Sequence, residues 1–93
     1  MVVALLSVEL YLPGAQSLKE KRMVLRGVKD RLKKFNISVS EVEHQDLWQR
    51  AGLGIVAIST DRRHLEAELA AVADELERVE PGAITRTELE FLA

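Results

Sequence analysis

Between Glu43 and Arg50 the chain reads Glu-His-Gln-Asp-Leu-Trp-Gln-Arg, the densest run of reactive side-chain types in the sequence. His44 and Asp46 stand two residues apart, and an imidazole oriented by a carboxylate is the arrangement that general bases and metal ligands use. A metal ion needs three or four ligands, and the only other histidine, His64, lies in a separate part of the chain. No metal, no cofactor and no catalytic residue are therefore expected. Trp48 and Arg50 are residue types that anchor interfaces, which makes His44, Asp46 and Trp48 interaction candidates, joined by Tyr11. The alternative is structural: Asp46 holds Arg50 or caps a short turn, and Trp48 covers the end of the core.

The second chemical feature is a charge pattern. From Ser17 to Phe35 eight basic residues face only Glu20 and Asp30, a net of +6. From Asp61 to Glu80 seven acids face three arginines, a net of −4. Arg22, Arg26, Lys29 and Lys33 follow helical spacing and form one basic stripe, and Lys19 and Lys21 precede it in the chain. Such a stripe can track phosphates, with an affinity that falls as salt rises. Two readings stand: a solvated basic helix attracted to an acidic neighbour, or a surface for RNA or another anion. Arg50 is a further candidate for the second.

These features sit on 93 residues with a formal charge of −2, 47% hydrophobic and 30% charged. That is one packed domain, residues 1–93, and neither a disordered chain nor a histone-like polycation. The absence of cysteine excludes disulfides, thiolate zinc sites, iron–sulfur clusters and a thiol nucleophile. Met1 to Leu12 is apolar but carries Glu9 and no basic leader, so it reads as a strand and not as a signal peptide. No run approaches a membrane span, and the cytoplasm is the expected setting. One asparagine, no cysteine and abundant charge lean towards a thermophile-like composition.

Six elements must position the candidates. Val2 to Leu12 alternates Ala4, Leu6, Val8 and Leu10 against Val3, Leu5, Ser7, Glu9 and Tyr11, as a central strand would, before the turn at Pro13-Gly14. Ser17-Leu18-Lys19-Glu20 has the capping-box pattern. It opens a helix to about Phe35, striped by Leu18, Leu25, Val28, Leu32 and Phe35, with Asn36 as a left-handed terminator. Ile37 to about His44 is a strand in which Val42 falls out of phase, which predicts a bulge near Glu41. Gln45 to Ala51 is a polar connector, and Leu53 to Thr60 a compact strand. Asp61 caps a helix striped by Leu65, Leu69, Val72, Leu76 and Val79, ended by Pro81-Gly82. Ala83 to Leu92 is the last strand, with Thr85, Thr87, Leu89 and Phe91 on one face.

The order β-α-β-β-α-β, with one apolar stripe per helix, gives an α+β ferredoxin-like two-layer sandwich. Both helices cover one face of a four-stranded antiparallel sheet, with the first and third strands central. Such folds host many functions. Metal carriers need a cysteine pair after the first strand, which is absent. Acylphosphatase-like chemistry needs an arginine in the first loop, which reads Leu12-Pro13-Gly14-Ala15-Gln16. Gly52 to Ile58 has the glycine spacing of an RNA-recognition strand, but Leu53, Ile55 and Ile58 stand where aromatic rings would stack on bases. Base stacking on the sheet is therefore not expected. The uncovered face, with Val3, Leu5, Tyr11 and alternate residues of the third strand, is a candidate homodimer surface.

Leu12-Pro13-Gly14 with Ser17 to Arg22, then Phe35 to Val42, then His44 to Ala51, occur in this order across nearly the whole chain. Together they resemble the YlxP-like family of small bacterial proteins, a domain of unknown function. The resemblance implies a ferredoxin-like fold. Through the family's gene neighbourhood beside translation-initiation and ribosome-binding factors, it also implies a link to translation. It carries over no catalytic residue. The matching positions Lys19, Lys21, Arg22, His44, Asp46, Trp48 and Arg50 are candidates for whatever the family does.

Overall fold

A computed structural model describes residues 1–93. Its elements are β1 (Val2–Tyr11), α1 (Leu18–Leu32), β2 (Ser38–Glu43), β3 (Arg50–Ser59), α2 (Arg62–Val79) and β4 (Ile84–Phe91). The sheet order is β2-β3-β1-β4, antiparallel throughout, which is the ferredoxin-like arrangement. β1 and β3 are central and pair in continuous register from Val2 opposite Ser59 to Tyr11 opposite Arg50.

Alternation along the two central strands divides the molecule. Ala4, Leu6, Val8 and Leu10 of β1 and Ala51, Leu53, Ile55 and Ala57 of β3 are buried beneath the helices. Leu25, Val28 and Leu32 of α1 and Leu65, Leu69, Val72 and Leu76 of α2 close the core from above. The opposite face of the sheet carries no helix. Of the three residues at aromatic-stacking positions, only Ile58 reaches that open face, because Leu53 and Ile55 are in the core.

Both helix caps form. Ser17 Oγ accepts from the Glu20 amide, and Asp61 Oδ1 accepts from the Arg63 amide. Glu20 reaches back to the amide of Gln16, one residue earlier than the capping box predicts. α1 stops at Leu32, and the chain reaches Phe35 through short-range bonds, Lys33 N to Asp30 O and Phe35 N to Leu32 O. Asn36 is not left-handed; the non-glycine residue with a positive φ is His44, at 63°. Tightening of the last turn ends the helix instead.

The expected bulge is present: Glu41 faces Leu53 and Glu43 faces Gly52, so Val42 has no partner. One extra residue sends Glu41 towards α1 and Glu43 to the open face. β3 begins at Arg50, so the polar connector is shorter than the sequence suggests.

Candidate functional site

Lys21 changes the meaning of the basic helix. It is fully buried, and its Nζ donates to the carbonyl oxygens of His44 (2.8 Å), Arg50 (3.2 Å) and Gln45 (3.3 Å). Its charge is met by Glu41 Oε2 at 2.8 Å. Lys21 is thus no part of the exposed basic stripe it was a candidate for: it is the bolt that holds α1 to the β2–β3 connection. A buried ammonium needs this many oxygen partners, because an unpaired one would carry a large desolvation cost. The sequence contained the signal. Leu18, Lys21, Leu25, Val28 and Leu32 step by three and four, so Lys21 occupies an apolar phase of the stripe.

The same connection is fixed from β1. Gln49 accepts from the Leu12 amide through its carbonyl, at 2.7 Å. Its side chain donates to the carbonyls of Pro13 and Ala15. Trp48 is 53% exposed, so it does not cover the core. With Tyr11, Leu47 and Arg50 it lines an open recess of about 500 Å³.

The oriented imidazole exists, but Asp46 is not its partner. His44 Nε2 donates to the Glu9 carboxylate, 3.1 Å from Oε2 and 3.3 Å from Oε1. Arg50 Nη2 lies 3.5 Å from the same Oε2, so Arg50 is held by Glu9 and not by Asp46. Glu43 completes the group: one ligand-type atom from each of Glu9, Glu43 and His44 lies within 4.8 Å of the others. Glu9 sits 35 residues before His44, and only the strand register brings the two together. Arg50 therefore stands on the open face, across the sheet from α1.

On the outer side of α1, Arg22, Arg26 and Lys29 gather around a depression of about 220 Å³ that also touches Leu25 and Glu41. None of the three has an ion-pair partner. Lys33, the fourth residue of the stripe, pairs with Asp30 at 3.0 Å. Lys19 is exposed at the start of the helix. Attraction between the helices accounts for one basic residue only, since Lys34 pairs with buried Glu75 at 3.2 Å. Glu75 also takes Arg78 of its own helix.

The open face is apolar at one end and polar at the other. Val56 and Ile58 are exposed, Val3 and Leu5 are half-buried beside them, and Glu9, Glu43, Arg50, Arg86 and Glu88 fill the far end. No helix is long and apolar enough to cross a membrane.

Fold and faces together define a small α+β ferredoxin-like domain with one basic helix surface and one uncovered sheet. The chain belongs to the family described as "Protein of unknown function (DUF503)", which it matches over residues 3–89. It is 47% identical over 78 residues to "Uncharacterized protein YlxP" of Bacillus subtilis (strain 168), covering 80% of this chain and 84% of that one. Among solved structures it resembles the de novo designed protein Foldit4. The TM-score is 0.55 and the identity 10%, over 99% of this chain and 96% of the design, a likeness of fold alone.

Proposed function

We propose that this protein is a non-enzymatic RNA- or ribosome-associated accessory factor that holds phosphates on the exposed face of α1. The observation that carries the reading is the depression shared by Arg22, Arg26 and Lys29, three cations without partners. Its one acid, Glu41, is already neutralised by Lys21, so the notch keeps a net positive charge. Guanidinium groups suit phosphate because they donate two parallel hydrogen bonds. The link to translation implied by the family's gene neighbourhood points to RNA among anionic partners, and the setting is the cytoplasm. Recognition on α1 runs through the backbone and not through stacked bases, since no aromatic ring lines the notch of Arg22, Arg26 and Lys29.

The test is a titration of labelled structured RNA with the wild-type chain and with Arg22→Glu, Arg26→Glu and Lys29→Glu combined. The wild type binds and the triple variant does not. Equal binding by a folded triple variant overturns the proposal.

A second reading has its own support. Ile58 is 52% exposed and Trp48 53% exposed, and large apolar groups in such positions mark interfaces. Homodimerisation through the open sheet face and the Trp48 segment is compatible with RNA held on α1. Light scattering that shows a monomer at high protein concentration removes this second reading.

A further inference from the structure

Two departures from regular backbone geometry and one glycine converge on one small volume of the open face. The unpaired Val42 turns Glu43 onto that face. His44 adopts a left-handed backbone, φ 63°, that brings its ring back over β1. Gly52 lies directly beneath: a Cβ there would stand 2.9 Å from the Glu43 Cβ, so only glycine admits Glu43 this close. The side chains so gathered, Glu9, Glu43 and His44, offer one imidazole nitrogen and two carboxylates, with ligand atoms within 4.8 Å of one another. Beside them a recess of about 210 Å³, lined by Ser7, Glu9, Glu43, Arg86 and Glu88, leaves space for an ion and its waters.

We propose that Glu9, Glu43 and His44 form a three-ligand site for a divalent transition-metal ion, with zinc as the reference case. A mixed nitrogen and oxygen donor set selects such ions over calcium and magnesium, which prefer oxygen alone. Three protein ligands leave at least one coordination position for water or an exogenous anion. Ligands about 2.1 Å from zinc in tetrahedral geometry are about 3.4 Å apart, so the cluster closes by roughly 1.4 Å at most. Rotation of the exposed Glu43 side chain supplies much of that closure. On binding, the imidazole takes its Nδ1–H tautomer, the Nε2 lone pair turns to the metal, and the weakly held Arg50 guanidinium swings away from Glu9. The sequence conceals the site because two of the three ligands are carboxylates, one from β1 and one at the bulge, and only the strand register brings them to His44.

The test is isothermal titration of the chelator-treated full chain with zinc chloride, followed by amide and imidazole NMR. One zinc per chain is expected, with shifts at Glu9, Glu43, His44 and Gly52. His44→Asn keeps a residue that tolerates the left-handed backbone, and Glu43→Gln keeps the shape. Each should weaken binding at least about tenfold while thermal unfolding in chelator shows the variant folded. His64→Ala should leave binding unchanged. Absence of zinc binding overturns the proposal, as does binding that survives His44→Asn or is lost with His64→Ala.

Discussion

Replacing Lys21 by Met tests whether the buried ammonium is the bolt between α1 and the β2–β3 connection. Met fills nearly the same volume, so packing is retained while the charge and its hydrogen bonds are lost. The change leaves the carbonyls of His44, Gln45 and Arg50 without this donor and Glu41 without its counter-charge. Breaking a buried pair by removing one partner costs about 3–5 kcal/mol. The connection borders solvent, so water recovers part of the loss, and about 3 kcal/mol is the expected figure. For a domain of this size that is a fall in Tm of roughly 12–24 °C. Urea unfolding followed by circular dichroism measures the global loss. Fluorescence of Trp48, the single tryptophan, reports on the connection itself. Adding Glu41→Gln to Lys21→Met should recover part of the stability, because it removes the stranded carboxylate. A Lys21→Met variant within about 1 kcal/mol of wild type would refute the reasoning.

Two further substitutions probe the supports of the site. Ser17→Ala removes the acceptor of the Glu20 amide and should lower stability by about 1 kcal/mol in denaturant titration. Gly52→Ala places a methyl group 2.9 Å from the Glu43 Cβ. It should destabilise by about 1–3 kcal/mol, with chemical-shift changes concentrated in β2 and the bulge.

The sequence revealed the fold through signals that act locally. Alternation in β1 named its buried face residue by residue, both caps lie where Ser17 and Asp61 predict, and the phase error at Val42 announced the bulge. Failures came where the decisive partner was distant in sequence or where a residue's type concealed its place. Lysine is so seldom fully buried that Lys21 reads as a surface cation, although its spacing matches the apolar stripe. Asp46, two residues from His44, looked like its partner, whereas the strand register supplies Glu9. Of the two readings of Trp48, an interface anchor or a cover for the end of the core, the second fails, because the bonds that fix Gln49 and the cage around Lys21 leave the indole 53% exposed. Net charge concealed the basic face, because the acidic second helix cancels it in the sum.

The central claim, phosphate binding by the unpaired cations of α1, is tested most directly by the salt dependence of RNA affinity. Three phosphate contacts on a duplex give a slope of log K against log salt of about −2.7, an affinity loss of about 40-fold between 50 and 200 mM salt. The account predicts that slope for the wild-type chain and its disappearance when Arg22, Arg26 and Lys29 are reversed. A slope near zero, or one that persists in the folded triple variant, would contradict it.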